Sequence, residues 1–250
     1  MTFTKYNQEG AYHRNKTIDS SIRDYNPRLE SRYLLAIKYL DEMVNIKGSR
    51  GLDIGCGEGV LLELLSQMNS DPIGIDSTRE GLQLYEEMGT VSVPVVQGNG
   101  YNLPFDTKFD FASMIEVIEH LKQPVDMLEE VESTLRPGGV IILTTPKKHP
   151  NGSLHDDIFH EQEFTPEELR STLETVFTSV DVYGFYPKWL DQLYAEDSGI
   201  RPLDLFIRGV FKYGSKVGVN PYVLFGAEAP KPTQDHLLAV GVKADNVSKK

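Results

Sequence analysis

The chain has 250 residues, of which 40% are hydrophobic, and a net charge of -12. That length and composition fit one large globular domain or a domain with a modest appendage. The negative charge argues against a broad nucleic-acid surface, because duplex binding depends on clustered cations. The single cysteine, Cys56, excludes an intrachain disulfide and favours a reducing compartment. With no signal-peptide pattern and no membrane-length apolar run, the sequence predicts a cytoplasmic protein without a membrane span.

Apolar strands alternate with amphipathic helices along most of the chain. Residues 1–30 are polar and aromatic-rich, which predicts an irregular arm. The predicted helices cover 27–44, 60–67, 79–88, 125–135 and 166–176, the last with a capping box at Thr165 and Glu168. The predicted strands cover 51–54, 72–75, 93–97, 109–115, 140–144, 180–183 and 236–242.

Nearly continuous apolar strands that alternate with helices are typical of a parallel sheet covered on both faces. The alternation breaks between 185 and 235, where Trp189 and several tyrosines, Tyr194 among them, are clustered. This stretch is interpreted as an insertion before the last strand, helical over 202–216. The predicted organisation is an arm and helix (1–47), a ligand-binding core (48–184), a substrate-side insertion or lid (185–235), and a last strand with a tail (236–250).

A glycine-rich segment, Asp-Ile-Gly-Cys-Gly-Glu-Gly, occupies positions 53–59, where a predicted strand turns into a helix. Glycines there permit tight turns and allow a ligand to approach the N–H groups that open the helix. Asp76 ends the next strand about 20 residues after Gly57, the spacing at which a carboxylate holds ribose hydroxyls. This combination predicts a nucleotide or nucleoside site.

The type of nucleotide follows from what the loop lacks. The third glycine falls at Gly59 rather than at position 60, so the dinucleotide spacing is broken, and the Gly-Lys-Ser/Thr of a phosphate loop is absent. Asp53 is a poor neighbour for a pyrophosphate and a good one for an ammonium group. A nucleoside with a cationic amino-acid arm therefore fits better than a dinucleotide or a nucleoside triphosphate.

Asp53-x-Gly55-x-Gly57-x-Gly59 resembles the signature loop of the class I S-adenosylmethionine-dependent methyltransferases. The other family motifs follow in order, namely Asp76, a segment similar to "GDA…LPF" at 98–105, and the segments 115–121 and 135–139. The resemblance covers roughly 32–182 and the final strand. It implies an α/β fold with a Rossmann-like doubly wound sheet, mostly parallel with an antiparallel last strand. It also implies S-adenosyl-L-methionine as cofactor and S-adenosyl-L-homocysteine as product.

The resemblance further implies roles in the cofactor pocket. Gly55 and Gly57, with Asp53 nearby, would meet the methionine part, and Glu116 would face the methionyl end. Asp76 would hold the ribose, and Asn99 and Gly100 would meet the adenine, although the family more often has Asp at position 99. The complete predicted set is Asp53, Gly55, Cys56, Gly57, Asp76, Ser77, Asn99, Gly100 and Glu116. Structural alternatives stay open: a plain helix-entry turn for the glycines, a helix cap for Asp76 and a turn residue for Asn99.

A second cluster, Glu116-x-x-Glu119-His120, is predicted at the start of a helix, where these positions share one face. Two carboxylates and an imidazole there can bind a divalent cation, or the imidazole can act as a general base. His160 adds a second histidine, with His149 and His155 close in sequence. The predicted catalytic residues are His120, Glu119 and His160.

The cluster resembles two branches of the family, the quinone-type O-methyltransferases and the RNA 3′-end 2′-O-methyltransferases. The favoured interpretation is methyl transfer to an oxygen, rather than a nitrogen, of a small-molecule acceptor without a metal or nucleic-acid partner. The alternatives are a metal-dependent 2′-O-methyltransferase of RNA 3′ ends, with Glu116, Glu119, His120 and His160 as ligands, and a non-catalytic partner subunit. A monomer and a homodimer both remain open.

Overall fold

The computed structural model describes residues 11–89, 92–149, 159–187, 190, 201–216, 220–224 and 226–245. Its helices are α1 Tyr12–Lys16, α2 Pro27–Val44, α3 Val60–Gln67, α4 Arg79–Met88, α5 Pro124–Thr134, α6 Pro166–Glu174, α7 Arg201–Lys216 and α8 Pro221–Leu224. Its strands are β1 Arg50–Ile54, β2 Asp71–Asp76, β3 Val95–Gln97, β4 Phe109–Ile115, β5 Leu135–Pro146, β6 Ser179–Pro187 and β7 Gln234–Val242.

The strands form one seven-stranded sheet in the order β3-β2-β1-β4-β5-β7-β6. The pairs from β3 to β5 are parallel, whereas β7 runs antiparallel to both β5 and β6. The predicted fold class, a mostly parallel Rossmann-like sheet with an antiparallel last strand, is confirmed. Because the order reverses at β1 and β4, the carboxyl ends of these strands form the crevice where such sheets bind ligands.

Both faces of the sheet are buried, as the continuous apolar strands require. One face packs a core that includes Leu128 and Leu173 from α5 and α6, and the other packs one that includes Leu40 and Leu61 from α2 and α3. The capping box of α6 is present, with Thr165 and Glu168 bonded reciprocally. No helix in the described ranges combines the length and the apolar character that crossing a membrane requires.

Two segments differ from their predicted structure. The fifth strand is longer than the predicted 140–144: β5 begins at Leu135, and its register jumps from the pair Phe109–Leu135 to the pair Phe111–Val140. The predicted start of a helix at Glu116 is wrong: a single 3₁₀ turn, Ile118–His120, forms there, and Glu116 has a left-handed backbone with φ 56°. Since the one-face argument requires an α-helix, Glu116 does not share a face with Glu119 and His120.

The N-terminal arm is more ordered than its composition predicted. Two backbone N–H groups at the start of α1, those of His13 and Arg14, donate to the Glu58 carboxylate at 2.6 and 3.2 Å. The fully buried Arg14 side chain also pairs with Glu63 of α3 at 2.7 Å. The arm is therefore fastened to the glycine-rich loop and to the helix that follows it.

Helix α7 supports the arm from the other side, because Lys212 donates to the carbonyl oxygen of Ser20 and Arg208 to that of Arg23. The helix spans nearly the predicted 202–216. Trp189, Tyr194 and His155 lie outside the described residues, as does the start of the arm (1–10).

Candidate active site

A cavity of about 970 Å³ opens at the carboxyl ends of β1, β2 and β4, where the strand order reverses. Its walls contain all nine residues predicted for the cofactor and all three predicted catalytic residues. They also contain side chains that were not predicted, namely Tyr12, His13, Arg28, Arg32, Tyr33 and His236. The tertiary structure thus brings the two predicted clusters into one cavity and adds a cationic wall.

The glycine-rich loop has a conformation that side chains oppose. Gly55 has φ 73°, and a Cβ there would lie 2.5 Å from Val117 Cγ2. Gly59 has φ 76°, and its Cβ would lie 2.3 Å from the Tyr85 ring. Positive φ and such close contacts exclude ordinary L side chains. The loop is thus both a helix-entry turn and a bare backbone wall of the cavity.

Asp53 is buried at the end of β1, and Ser113 Oγ donates a hydrogen bond to its carboxylate at 2.8 Å. Burial raises the pKa of Asp53 to about 7, the Ser113 hydrogen bond opposes the shift, and the nearby Asp76 charge adds to it. A cation beside Asp53 would favour its ionised form. The residue therefore fits an ammonium group and responds to pH near neutrality.

Asp76 links the loop to the next helix. Its Oδ2 accepts from the Gly57 N–H at 2.8 Å, and its Oδ1 accepts from the backbone N–H and the hydroxyl of Thr78 at 2.7 and 2.6 Å. A carboxylate has about four acceptor positions, so one remains for a ribose hydroxyl. Rotation of the Thr78 hydroxyl would release a second.

Asn99 forms an Asx turn, in which its side-chain oxygen accepts from the Tyr101 N–H at 3.0 Å. This is the turn role that the sequence left open as an alternative. Asn99, Gly100 and Ser77 all line the cavity at its β2 and β3 end. The second lone pair of the Asn99 oxygen can still accept from an exocyclic amine.

Glu116 is held by groups that are distant in sequence. Its carboxylate lies 3.2 Å from Arg32 Nη1 and 3.3 Å from His236 Nε2, and it accepts from Thr144 Oγ1 at 2.8 Å. Burial opposes ionisation, but Arg32 and His236 outweigh it and hold the pKa of Glu116 far below its ordinary value. Glu116 is therefore an anion in an ion-pair network.

The network extends along the wall beside β7. Asp235 bonds to the His236 ring at 2.9 Å and pairs with Arg28 Nη2 at 2.6 Å. Arg28 lies 4.5 Å from the Tyr186 ring centroid. Despite burial, the two carboxylates raise the pKa of His236. Arg28 and Arg32 lie one turn apart at the start of α2, and this spacing could have been noticed in the sequence. Their acidic partners could not have been predicted in the same way, because they depend on the order of the strands in the sheet.

Glu119, His120 and His160 do come together, as three ligand atoms that lie within 4.8 Å of one another. The His120 ring contacts the carbonyl oxygen of Phe159 through Nδ1 at 2.9 Å, and the two imidazole rings are 5.1 Å apart. Burial and the Glu116 charge raise the pKa of Glu119 well above its ordinary value, so both favour the protonated form of its carboxyl group. Of the four ligands named for the metal-dependent alternative, the structure groups these three, and Glu116 is not part of the group.

The family of the chain is settled by comparison with known proteins. A family model described as a methyltransferase domain matches residues 25–194, more than half of the chain. The chain belongs to this family. Together with the confirmed sheet and the glycine-rich loop, this match identifies the chain as a class I S-adenosylmethionine-dependent methyltransferase.

The methyltransferase is similar to curated bacterial proteins over part of its length. A ubiquinone biosynthesis O-methyltransferase of Pseudomonas fluorescens is 30% identical over 138 residues, which cover 53% of this chain and 56% of the relative. One from Paraburkholderia phymatum is 29% identical over 140 residues, covering 52% and 60%. The chain thus spans about half the length of the curated relatives it matches.

Solved structures share the fold of the methyltransferase. A phosphoethanolamine N-methyltransferase 2 of Haemonchus contortus, in complex with phosphomonomethylethanolamine and S-adenosylhomocysteine, superposes with a TM-score of 0.67 at 18% identity, covering 97% of this chain and 59% of that one. A putative sarcosine dimethylglycine methyltransferase of Galdieria sulphuraria superposes with a TM-score of 0.59 at 18% identity, covering 87% and 86%. At such identities the similarity establishes the fold alone.

Proposed function

We propose that the protein transfers a methyl group from S-adenosylmethionine to an oxygen of a small-molecule acceptor. Two kinds of support converge on this reaction. The curated relatives named above are O-methyltransferases, and the cavity wall includes the imidazole of His120, a group that can serve as the base for a hydroxyl acceptor. The cofactor supplies an activated methyl group, so the protein has to position the acceptor and exclude water.

For the cofactor, we assign the β1, β2 and β3 end of the cavity. Asp53 would hold the ammonium group and Asp76 the ribose, while Asn99 and Gly100 would contact the adenine. Gly55, Cys56, Gly57 and Ser77 would complete the wall. The Nε atom of Arg32 is buried with no hydrogen-bond partner, and Glu116 orients this side chain, so Arg32 is suited to the methionyl carboxylate.

For the acceptor, we assign the half of the cavity over β4, β5 and β7. The observation that carries the proposal is the contact between His120 Nδ1 and the carbonyl oxygen of Phe159. A carbonyl oxygen can only accept, so Nδ1 carries the hydrogen of the neutral ring. Nε2 then carries the lone pair that would accept the acceptor's proton. Aligning donor and acceptor contributes about 7–11 kcal/mol to such reactions.

The His120→Asn variant tests this assignment. With catechol and ethanolamine as oxygen and nitrogen probes, we expect methylated catechol as the product and kcat lowered about 10²–10⁴-fold in the variant, because the base is gone. The mass of the product shows which probe is methylated, and the rate of S-adenosylhomocysteine release gives kcat. S-adenosylhomocysteine affinity should be unchanged, and His149→Asn, at a histidine outside the cavity wall, is the control. Methylation of the amine alone, or an undiminished kcat, would contradict the proposal.

A metal-dependent reaction at an RNA 3′ end is the second candidate, favoured by the grouping of Glu119, His120 and His160. Two imidazoles and a carboxylate suit a divalent transition metal, and Glu119, whose pKa is raised by burial and by Glu116, would bind the metal in its ionised form. If the reaction needs no metal, a chelator should leave the rate of catechol methylation unchanged. A rate that collapses with chelator and returns with Mn²⁺, together with methylation of a short RNA, would support the second candidate.

A further inference from the structure

The His160 ring has a buried acidic partner that faces away from the cavity. His160 Nδ1 lies 2.8 Å from Oε1 of Glu163, whose side chain is 0% exposed. His160 lines the cavity, whereas Glu163 is not among the lining residues. Glu163 therefore contacts the back of a ring whose other side faces the proposed acceptor.

The loop that carries both residues is fixed to the 3₁₀ turn of His120. The backbone N–H groups of Glu161 and Gln162 donate to the carbonyl oxygen of Glu119 at 2.9 and 3.2 Å, and the Gln162 side chain donates to that of Leu121 at 2.7 Å. These bonds hold the two histidine rings in their edge-to-face contact. The loop of His160 is thus fixed against the turn of His120, and the tautomer of each ring decides which of its nitrogens can accept a hydrogen bond.

A carboxylate can only accept a hydrogen bond. An imidazole that contacts an ionised carboxylate through Nδ1 therefore carries its hydrogen on Nδ1 and its lone pair on Nε2, the arrangement by which a buried acidic residue orients histidines in many active sites. His120 reaches the same state through the carbonyl oxygen of Phe159. With an ionised Glu163, both rings therefore carry their lone pair on Nε2, and both residues line the cavity.

We propose that Glu163 is a positioning residue, which holds His160 in the Nδ1–H tautomer so that its Nε2 accepts a hydrogen bond from the acceptor bound beside His120. This inference rests on the proposed function, because it assumes that the acceptor occupies this half of the cavity. His160 thereby orients the hydroxyl whose proton His120 removes. Glu163 itself touches neither the cofactor nor the acceptor.

The tautomer is measured directly by ¹⁵N NMR of the imidazole nitrogens in the full-length chain, with His160→Asn identifying the His160 signals. We expect a protonated Nδ1 and an unprotonated Nε2 for neutral His160. Glu163→Leu should shift the ring toward the Nε2–H tautomer, whereas Glu163→Gln should preserve Nδ1–H, because the amide oxygen still accepts. An Nε2–H tautomer in the unaltered protein overturns the proposal, even where the leucine variant fails to fold.

Turnover provides the second readout. With catechol as acceptor, Glu163→Leu is expected to lower kcat at least about tenfold, with S-adenosylhomocysteine affinity unchanged, and Glu163→Gln should restore most of the loss. Glu161→Leu, on the same loop with an exposed side chain, is the control. Equal kcat in the leucine variant and the unaltered protein contradicts the positioning role. A failure of the unaltered protein to methylate any hydroxyl contradicts the proposed function instead, and the NMR result then stands separately.

Discussion

Asp53→Asn is expected to weaken S-adenosylhomocysteine binding at least about tenfold at pH 8, because a charge-assisted hydrogen bond to the ammonium group is lost. In the unaltered protein, affinity should decrease as the pH falls below about 7, since Asp53 is then protonated before the ligand binds. The variant lacks this titrating carboxyl group, so its affinity should change less with pH over the same range than that of the unaltered protein. Calorimetric titrations across this range measure both effects.

The same substitution should stabilise the ligand-free protein. Asp53 has a folded-state pKa of about 7, above its ordinary value of 3.8, so its contribution to the free energy of unfolding is lost as the pH rises from about 4 to 7. Asparagine can still accept from Ser113 without this penalty. We therefore expect a higher melting temperature for the variant at pH 8, with Asp71→Asn, at an exposed residue of β2, as the control.

Undiminished S-adenosylhomocysteine affinity in Asp53→Asn would refute the assignment of the ammonium site.

Glu116→Gln is expected to lower the free energy of unfolding by about 3 kcal/mol, because it leaves the buried Arg32 guanidinium without its counter-charge. The figure is at the low end for buried pairs, since both side chains remain 14% exposed at the cavity. Chemical denaturation of Glu116→Gln, Arg32→Met and the double variant measures the coupling. The double variant should lose less stability than the two single changes together.

The pH dependence of this loss has a definite sign. Glu116 has a folded-state pKa below its ordinary 4.5, so its stabilising contribution is present above about pH 4.5 and decreases as the pH falls toward the folded-state value. The difference in stability between Glu116→Gln and the unaltered protein should therefore narrow in acid. Glu86→Gln, at an exposed position of α4, should be neutral at every pH. If the stability losses of Glu116→Gln and Arg32→Met add up to the loss in the double variant, the two side chains are not energetically coupled.

Much of the fold was predictable because its signals are local. Helix α2 begins and ends at the predicted residues, since Pro27 and the apolar spacing define it within one segment. The glycine-rich loop and Asp76 were likewise predicted to face one ligand, because the carboxyl ends of neighbouring parallel strands meet at one edge of the sheet. Their roles toward the cofactor remain proposals.

The acceptor half of the cavity was less accessible to sequence reasoning. Glu119, His120 and His160 were predicted from residue type and approximate spacing, and the structure does group them. Glu116 was placed with them on an assumed α-helix, but its left-handed backbone turns it toward Arg32 and His236. A 3₁₀ turn and an α-helix share short-range signals, and packing decided between them.

The sequence by itself determined the doubly wound sheet, its glycine-rich loop and the family, because strand periodicity, turn glycines and motif order are properties of contiguous segments. Only the tertiary structure decided which charges face each other. Arg32, Glu116 and His236 are separated by 84 and by 120 positions, and they meet because β4 and β7 flank β5 and because α2 covers that end of the sheet. The partner of a buried charge is set by this topology, which no local pattern encodes.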